Sequence, residues 1–179
     1  MKKKNLYELE VVSIRLVKDA PIISDKPITM PEDAVELLGE YLCQMDREMM
    51  CVINLKADGT PINCNIASIG AVDSSIAHPR ELFKSSILSN ASKMILVHNH
   101  PSSSIKPSEM DTMLTDRMVN LGSMMGIPII DHIIVGGDNS QFFSFKAGGI
   151  MPFPKNVLRT DYKKVEFQTA TVAEKGRAR

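Results

Sequence analysis

The chain has 179 residues, of which 44% are hydrophobic and 23% charged. This length and composition exclude a fully disordered chain and predict a globular domain with a core of its own. Basic and acidic residues number 21 each, which excludes a strongly basic nucleic-acid-binding protein but leaves room for a local basic patch.

The period of the apolar residues predicts strands and helices in the order βαββαβαββ. Thr29 with Glu32 predicts a capping box at the start of the first helix, and Gly126 predicts the end of the last one. The order predicts a mixed α/β domain with helices packed against a sheet. The predicted strands are 7–18, 49–56, 62–69, 93–98, 128–135 and 141–146, and the predicted helices are 30–45, 79–90 and 108–125.

The last part of the chain differs in composition from the rest. The apolar periodicity fades after Pro152, and residues 155–179 carry seven lysines or arginines against three aspartates or glutamates. We therefore predict one domain over residues 1–152 and a weakly structured basic tail over residues 153–179.

The cysteines point to a reducing compartment. Cys43, Cys51 and Cys64 are odd in number and form no C-x-x-C pair, which argues against a disulfide framework and against a thiolate zinc site. Glu8 and Glu10 interrupt any signal-peptide core, and no apolar run reaches the ~18–20 residues of a membrane span. These features predict a cytoplasmic protein.

Two histidines and an aspartate form the pattern that carries chemistry. His98 and His100 are two residues apart, so an extended backbone directs both imidazoles to one face, and Pro101 favours that backbone at His100. Asp111 lies in the first turn of the following helix, from where its carboxylate can return as a third ligand. Two histidines and one carboxylate leave a fourth tetrahedral position for water, as in a catalytic zinc site.

Each of these residues also has a structural interpretation. A strand histidine is often a core residue, and helix capping by itself explains Ser108 and Asp111. His132, in an apolar strand, is either a satisfied core histidine or a residue that supports a metal ligand from behind. The string His-Asn-His also suggests an HNH nuclease, but the residues of that motif are dispersed over a ββα-metal element.

The spacing H-x-H-x7-S-x2-D, met by His98, His100, Ser108 and Asp111, is the signature of JAMM (MPN+) metalloproteases. The chain resembles one branch of them, the bacterial RadC-like JAB domains, over residues 28–149. Many RadC-like proteins have glycine where this chain has Ser103, so a positive φ there would strain the loop. The motifs that carry the resemblance are Asp46-Arg47-Glu48, His78-Pro79-Arg80-Glu81, Asn90-Ala91, His98-Asn99-His100-Pro101-Ser102, Pro107-Ser108 and Asp131-His132-Ile133-Ile134-Val135-Gly136.

The resemblance implies a deubiquitinase-like (JAB/MPN) fold, in which a curved mixed sheet is flanked by helices. It implies zinc held by His98, His100 and Asp111. It further implies Glu48 as general acid and base, and Ser108 as a donor to the oxyanion. The implied partner is a protein or peptide substrate, which in JAMM enzymes often carries a ubiquitin-like tail.

The sequence leaves two functions open. The leading hypothesis is a zinc-dependent metallopeptidase that hydrolyses a peptide or isopeptide bond. The alternative is a DNA-repair-associated or protein-interaction JAB module without hydrolytic activity. Only the basic tail supports a nucleic-acid partner, through contacts with phosphates.

Overall fold

The computed structural model describes residues 16, 17, 19, 22–70 and 77–155. Most of the predicted first strand, and nearly all of the predicted basic tail, lie outside the described residues. No helix of the described part is long and apolar enough to cross a membrane. The described elements are α1 (Pro31–Cys43), β1 (Met49–Leu55), β2 (Pro61–Ile69), α2 (Pro79–Leu88), β3 (Lys93–Asn99), α3 (Glu109–Met125), β4 (Ile129–Val135) and β5 (Phe142–Ser144).

The five described strands form one mixed sheet in the order β2-β1-β3-β4-β5. β1 runs antiparallel to both β2 and β3, and β4 runs antiparallel to β5, whereas β3 and β4 are parallel. Parallel neighbours need a crossover connection, and α3 supplies it. The loop 100–108 joins the carboxyl end of β3 to the amino end of α3.

Helices cover both faces of this sheet, so the predicted α/β class and the flanked mixed sheet are confirmed. Alternate strand residues point to opposite faces. α1 packs on the face that contains Ile53 and Val97, and α2 and α3 pack on the face that contains Val52 and Leu96. All four of these strand side chains are fully buried. Because His98 lies two residues after Leu96, the sheet directs it toward α3.

The first helix begins differently from the prediction. The N-cap residue is Met30, and the Asp33 carboxylate accepts hydrogen bonds from the backbone N–H groups of Met30 (3.1 Å) and Thr29 (2.9 Å). The Thr29 hydroxyl donates to the same oxygen. The predicted capping box of Thr29 with Glu32 is therefore wrong, because Asp33 lies one residue further on and its short side chain reaches back over the first turn.

The ends of other elements follow local rules. Gly126 ends α3 with a φ of 69°, as predicted. His78 caps α2 by accepting a hydrogen bond at Nδ1 from the backbone N–H of Arg80. β5 is shorter than the predicted strand at 141–146. Ser103 has a φ of 60°, so this serine does occupy the left-handed conformation that glycine adopts more readily.

Candidate metal centre

The end of β3 brings two imidazoles together. His98 belongs to the strand and is fully buried, and His100 follows it directly after the strand ends. The two Nε2 atoms are 3.0 Å apart, so the expectation that both rings share one face agrees with the observed geometry. Sequence alternation alone was sufficient to place this pair.

The first turn of α3 adds a carboxylate to the pair. Asp111 is buried, its Oδ1 lies 3.1 Å from Nε2 of His98, and its Oδ2 lies 3.3 Å from Nε2 of His100. The crossover from β3 to α3 makes this possible, because it returns the chain to the strand end that it has just left. The structure therefore brings the three sequence-predicted ligands together, and they form one cluster able to hold a metal ion.

The geometry of this cluster fits a tetrahedral metal. Around a zinc ion with ligands at ~2.0–2.1 Å, neighbouring donor atoms lie ~3.3 Å apart. The two Nε2 atoms are 3.0 Å apart, which is close to that edge length, and each faces a different carboxylate oxygen of Asp111, at 3.1 Å and 3.3 Å. With one donor atom taken from each residue, all three atoms lie within 4.8 Å of one another. Two imidazole nitrogens and one carboxylate oxygen are also a donor set that zinc accepts.

Charge in the cluster is concentrated on the carboxylate. Burial opposes ionisation of Asp111, but hydrogen bonds with His100 and His98 outweigh it and hold the pKa of this carboxyl well below its ordinary value. The pKa of His100 is raised, chiefly by its hydrogen bond with Asp111. An ionised carboxylate therefore faces the two imidazoles at neutral pH.

Ser108 caps α3 and holds the candidate ligand Asp111. Its hydroxyl donates to Asp111 Oδ2 over 2.6 Å, its backbone N–H donates to the same oxygen over 2.8 Å, and its Oγ accepts from the Asp111 N–H. The capping interpretation of Ser108 and Asp111 thus holds, and it coexists with the ligand geometry. One serine fixes both the start of the helix and the orientation of the carboxylate.

Glu48 lies directly before β1 and is half-buried. Its carbonyl oxygen accepts a hydrogen bond from Gly70, while the Asn99 side chain bonds the Arg47 carbonyl oxygen (3.0 Å) and the Met49 N–H (2.9 Å) on either side of it. The Glu48 charge is among the smaller influences that raise the pKa of His100. The backbone around Glu48 is therefore clamped to the strand end that carries the histidines.

Residues 28–150 match the family described as RadC-like JAB domain. The chain belongs to this family. It is 42% identical over 124 residues to a UPF0758 protein of Desulforamulus reducens, and 40% identical over 126 residues to one of Caldanaerobacter subterraneus. These matches cover 69% and 70% of the chain but 54% and 53% of the relatives. The chain thus spans about half the length of the curated relatives that it matches.

In this RadC-like JAB domain a buried histidine, His132, lies behind the candidate ligands. The sequence left its role open. His132 is fully buried, and its Nε2 lies 2.9 Å from Nδ1 of His98. Burial holds the pKa of His132 well below its ordinary value, and the ring stacks on Phe145 at a centroid distance of 4.9 Å. Of the two interpretations of His132, the geometry favours the second, because the ring lies against the candidate ligand His98.

The sequence did not point to Thr115, and it gave Asn99 no role beyond its place in the motif that carries the resemblance. Thr115 is one helical turn after Asp111 and contacts His132, whereas Asn99 is between the two histidines and faces the opposite side of the sheet. The available signals were weak: a threonine at i+4 from a ligand, and a polar residue inside an apolar strand. Both partners are distant in sequence, so only the fold reveals them.

Proposed function

We propose that this RadC-like JAB domain is a zinc-dependent metallopeptidase that hydrolyses a peptide or isopeptide bond. The observation that carries the proposal is the convergence of three electron-pair donors at the end of β3. His100 donates its Nδ1 proton to the Ser104 carbonyl oxygen 2.8 Å away, because a carbonyl oxygen only accepts. A metal ion would replace the Nε2 proton that His100 shares with Asp111, and the lone pair left at Nε2 is directed at His98 and Asp111. Such a cluster favours a cation at its centre.

In this proposal His98, His100 and Asp111 hold zinc, which supplies Lewis acidity and an activated water. Glu48, whose backbone is held at the same strand end, accepts a proton from the attacking water and returns it to the leaving amine. The Ser108 hydroxyl turns from Asp111 to the substrate carbonyl oxygen and donates to it as negative charge develops.

Exposed apolar side chains around the site support a protein or peptide substrate. Met110, next to the ligand Asp111, is 55% exposed, and Ile69, next to the residue that bonds the Glu48 carbonyl, is 61% exposed. Side chains of this kind suit contact with an extended chain. A module without hydrolytic activity is the alternative, and it has only the basic tail in its support.

The first test is the zinc content of protein purified without chelators. We expect about one zinc per chain in the wild type and its loss in His98→Ala and in Asp111→Ala, since two remaining ligands bind zinc weakly. Circular dichroism of each variant controls for folding. A wild-type protein that stays free of zinc after reconstitution would contradict the proposal.

The second test concerns the general base. Glu48→Gln keeps the size of the side chain but cannot accept the proton, so we expect unchanged zinc content and a rate at least ~10²-fold lower against a peptide and isopeptide library. The control is Glu109→Gln, an exposed carboxylate in the first turn of α3, which should match the wild type. Equal rates in Glu48→Gln and wild type would remove Glu48 from the mechanism.

A further inference from the structure

A line of four buried polar groups runs from the backbone of α3 to the ligand His98. The Thr115 hydroxyl lies 2.5 Å from the carbonyl oxygen of Asp111 and 2.7 Å from Nδ1 of His132. Nε2 of His132 lies 2.9 Å from Nδ1 of His98. Thr115, His132 and His98 are each fully buried, so solvent does not compete for the hydrogen bonds between them.

The direction of every hydrogen bond in the line follows from its first member. A carbonyl oxygen has no proton to give, so the 2.5 Å contact requires the Thr115 hydroxyl to donate to Asp111. A hydroxyl has only one proton, and toward His132 the Thr115 oxygen can therefore only accept. His132 must carry its proton on Nδ1.

The same argument extends to the metal ligand. With its proton on Nδ1, the neutral tautomer of His132 has its lone pair on Nε2, the nitrogen that faces His98. Toward that lone pair His98 must donate from Nδ1. A neutral His98 is then left with its own lone pair on Nε2, the atom that faces His100 and Asp111.

We propose that Thr115 and His132 are positioning residues that fix the proton of His98 on Nδ1 and thereby present its Nε2 to the metal. The inference rests on the proposed zinc site and extends it to two residues that do not touch the ion. Partners of this kind orient ligand histidines, and their removal typically lowers metal affinity by ~10–100-fold. Thr115 sets the direction of the hydrogen bonds in this line, because its hydroxyl must donate to a backbone carbonyl oxygen.

The test measures zinc affinity by competition with a chromophoric chelator. Thr115→Val removes the hydroxyl at nearly constant volume, and we expect its zinc dissociation constant to rise ~10–100-fold. Thr115→Ser restores a hydroxyl at the same place and should bind within ~3-fold of the wild type. The matched control is Thr112→Val, which removes a hydroxyl that makes the same i−4 bond, to Ser108, on the exposed side of α3.

A second measurement reads the protons directly. Long-range ¹H–¹⁵N correlation spectra of the zinc-loaded protein report which ring nitrogen of each histidine is protonated. We expect the proton of His132 on Nδ1 in the wild type and in Thr115→Ser. Because valine accepts no hydrogen bond, this tautomer should lose its preference in Thr115→Val. A change of packing alone would leave it in place.

The outcomes separate this inference from the function on which it rests. If the wild type binds no zinc, both the proposed function and the inference are overturned. If the wild type binds zinc and Thr115→Val binds it equally well, the inference alone fails. It also fails if Thr115→Ser is as weak as Thr115→Val, or if His132 carries its proton on Nε2 in the wild type.

Discussion

Ser103 holds a backbone conformation that costs energy for any residue with a Cβ atom. Its φ is 60°, and its N–H donates to the carbonyl oxygen of His100 over 2.8 Å, which closes the turn directly after the second histidine. The left-handed conformation costs roughly 1–2 kcal/mol for an L-residue, and glycine adopts it freely. Strain of this size is therefore stored in the loop next to the candidate metal centre.

We predict that Ser103→Gly stabilises the protein. Relief of strain exceeds the ~0.4–1 kcal/mol that glycine costs through the unfolded chain, so the free energy of unfolding should rise by ~0.5–1 kcal/mol in urea titrations. Ser102→Gly is the matched control, because Ser102 has an ordinary φ and gains nothing from glycine. Equal stability of the two variants would show that Ser103 is unstrained.

At the residue scale, local sequence rules predict the candidate ligands but not the residues that hold them in place through long-range hydrogen bonds. His98 and His100 are predictable as a pair, since strand alternation needs only two residues of context. Asn99 lies in the same three residues, yet its role depends on Arg47 and Met49, which are about fifty positions away. Long-range hydrogen bonds of this kind leave no periodic trace in a single sequence.

Among the elements, α1 depends most clearly on one side chain. Asp33 is buried, accepts three hydrogen bonds from Thr29 and Met30, and forms an ion pair with Lys26 at 2.9 Å. We predict that Asp33→Ala costs ~1–2 kcal/mol of unfolding free energy, as loss of a cap does. Glu32→Ala, at the exposed neighbour named by the mistaken capping box, should stay within ~0.5 kcal/mol. Thermal unfolding of both variants checks this.

Acid titration gives an independent test of the same element. The backbone hydrogen bond from Thr29, followed by the contact with Lys26, holds the pKa of Asp33 well below its ordinary value. A carboxyl with a lowered folded-state pKa contributes stability above its unfolded pKa of ~3.9, and that stability is lost as the pH falls below it. We expect the stability difference between wild type and Asp33→Ala to shrink between about pH 5 and pH 2. A constant difference would exclude ionisation as its source.

The elements themselves were largely predictable, and their edges were not. Apolar periodicity placed α1, α2, α3 and the five described strands near their observed positions, because packing on a sheet demands that pattern. The start of α1 and the short β5 were misjudged. Both depend on which of several neighbouring polar groups forms a hydrogen bond. Apolar periodicity carries no information on that choice.

For the molecule as a whole, the sequence suggested the class of fold, while the order β2-β1-β3-β4-β5 needed the structure. Strand order depends on which long connections cross the sheet, and propensities carry no information on that. The order matters for the candidate site, since β1 lies beside β3 with Met50 paired to His98, and Glu48 comes directly before β1 at that end.

Zinc should stabilise the entire fold in this arrangement, because its ligands join the central strand β3 to α3. A ligand at 100 times its dissociation constant adds about 2.7 kcal/mol, which corresponds to a rise of roughly 5–10 °C in melting temperature for a chain of this size. Differential scanning fluorimetry with and without zinc measures the shift. His98→Ala should show none, and an equal shift in that variant would place the metal elsewhere.

The spacing of the site along the chain has a consequence for its order of assembly. All three candidate ligands fall within residues 98–111, whereas Glu48 is clamped by hydrogen bonds that span 50 and 52 positions. Closing the longer loop costs about 1 kcal/mol more chain entropy than closing the ligand segment. A folding chain is thus expected to bring the three candidate ligands together before Glu48 joins them, so the proposed metal ion would bind before the proposed general base is in place.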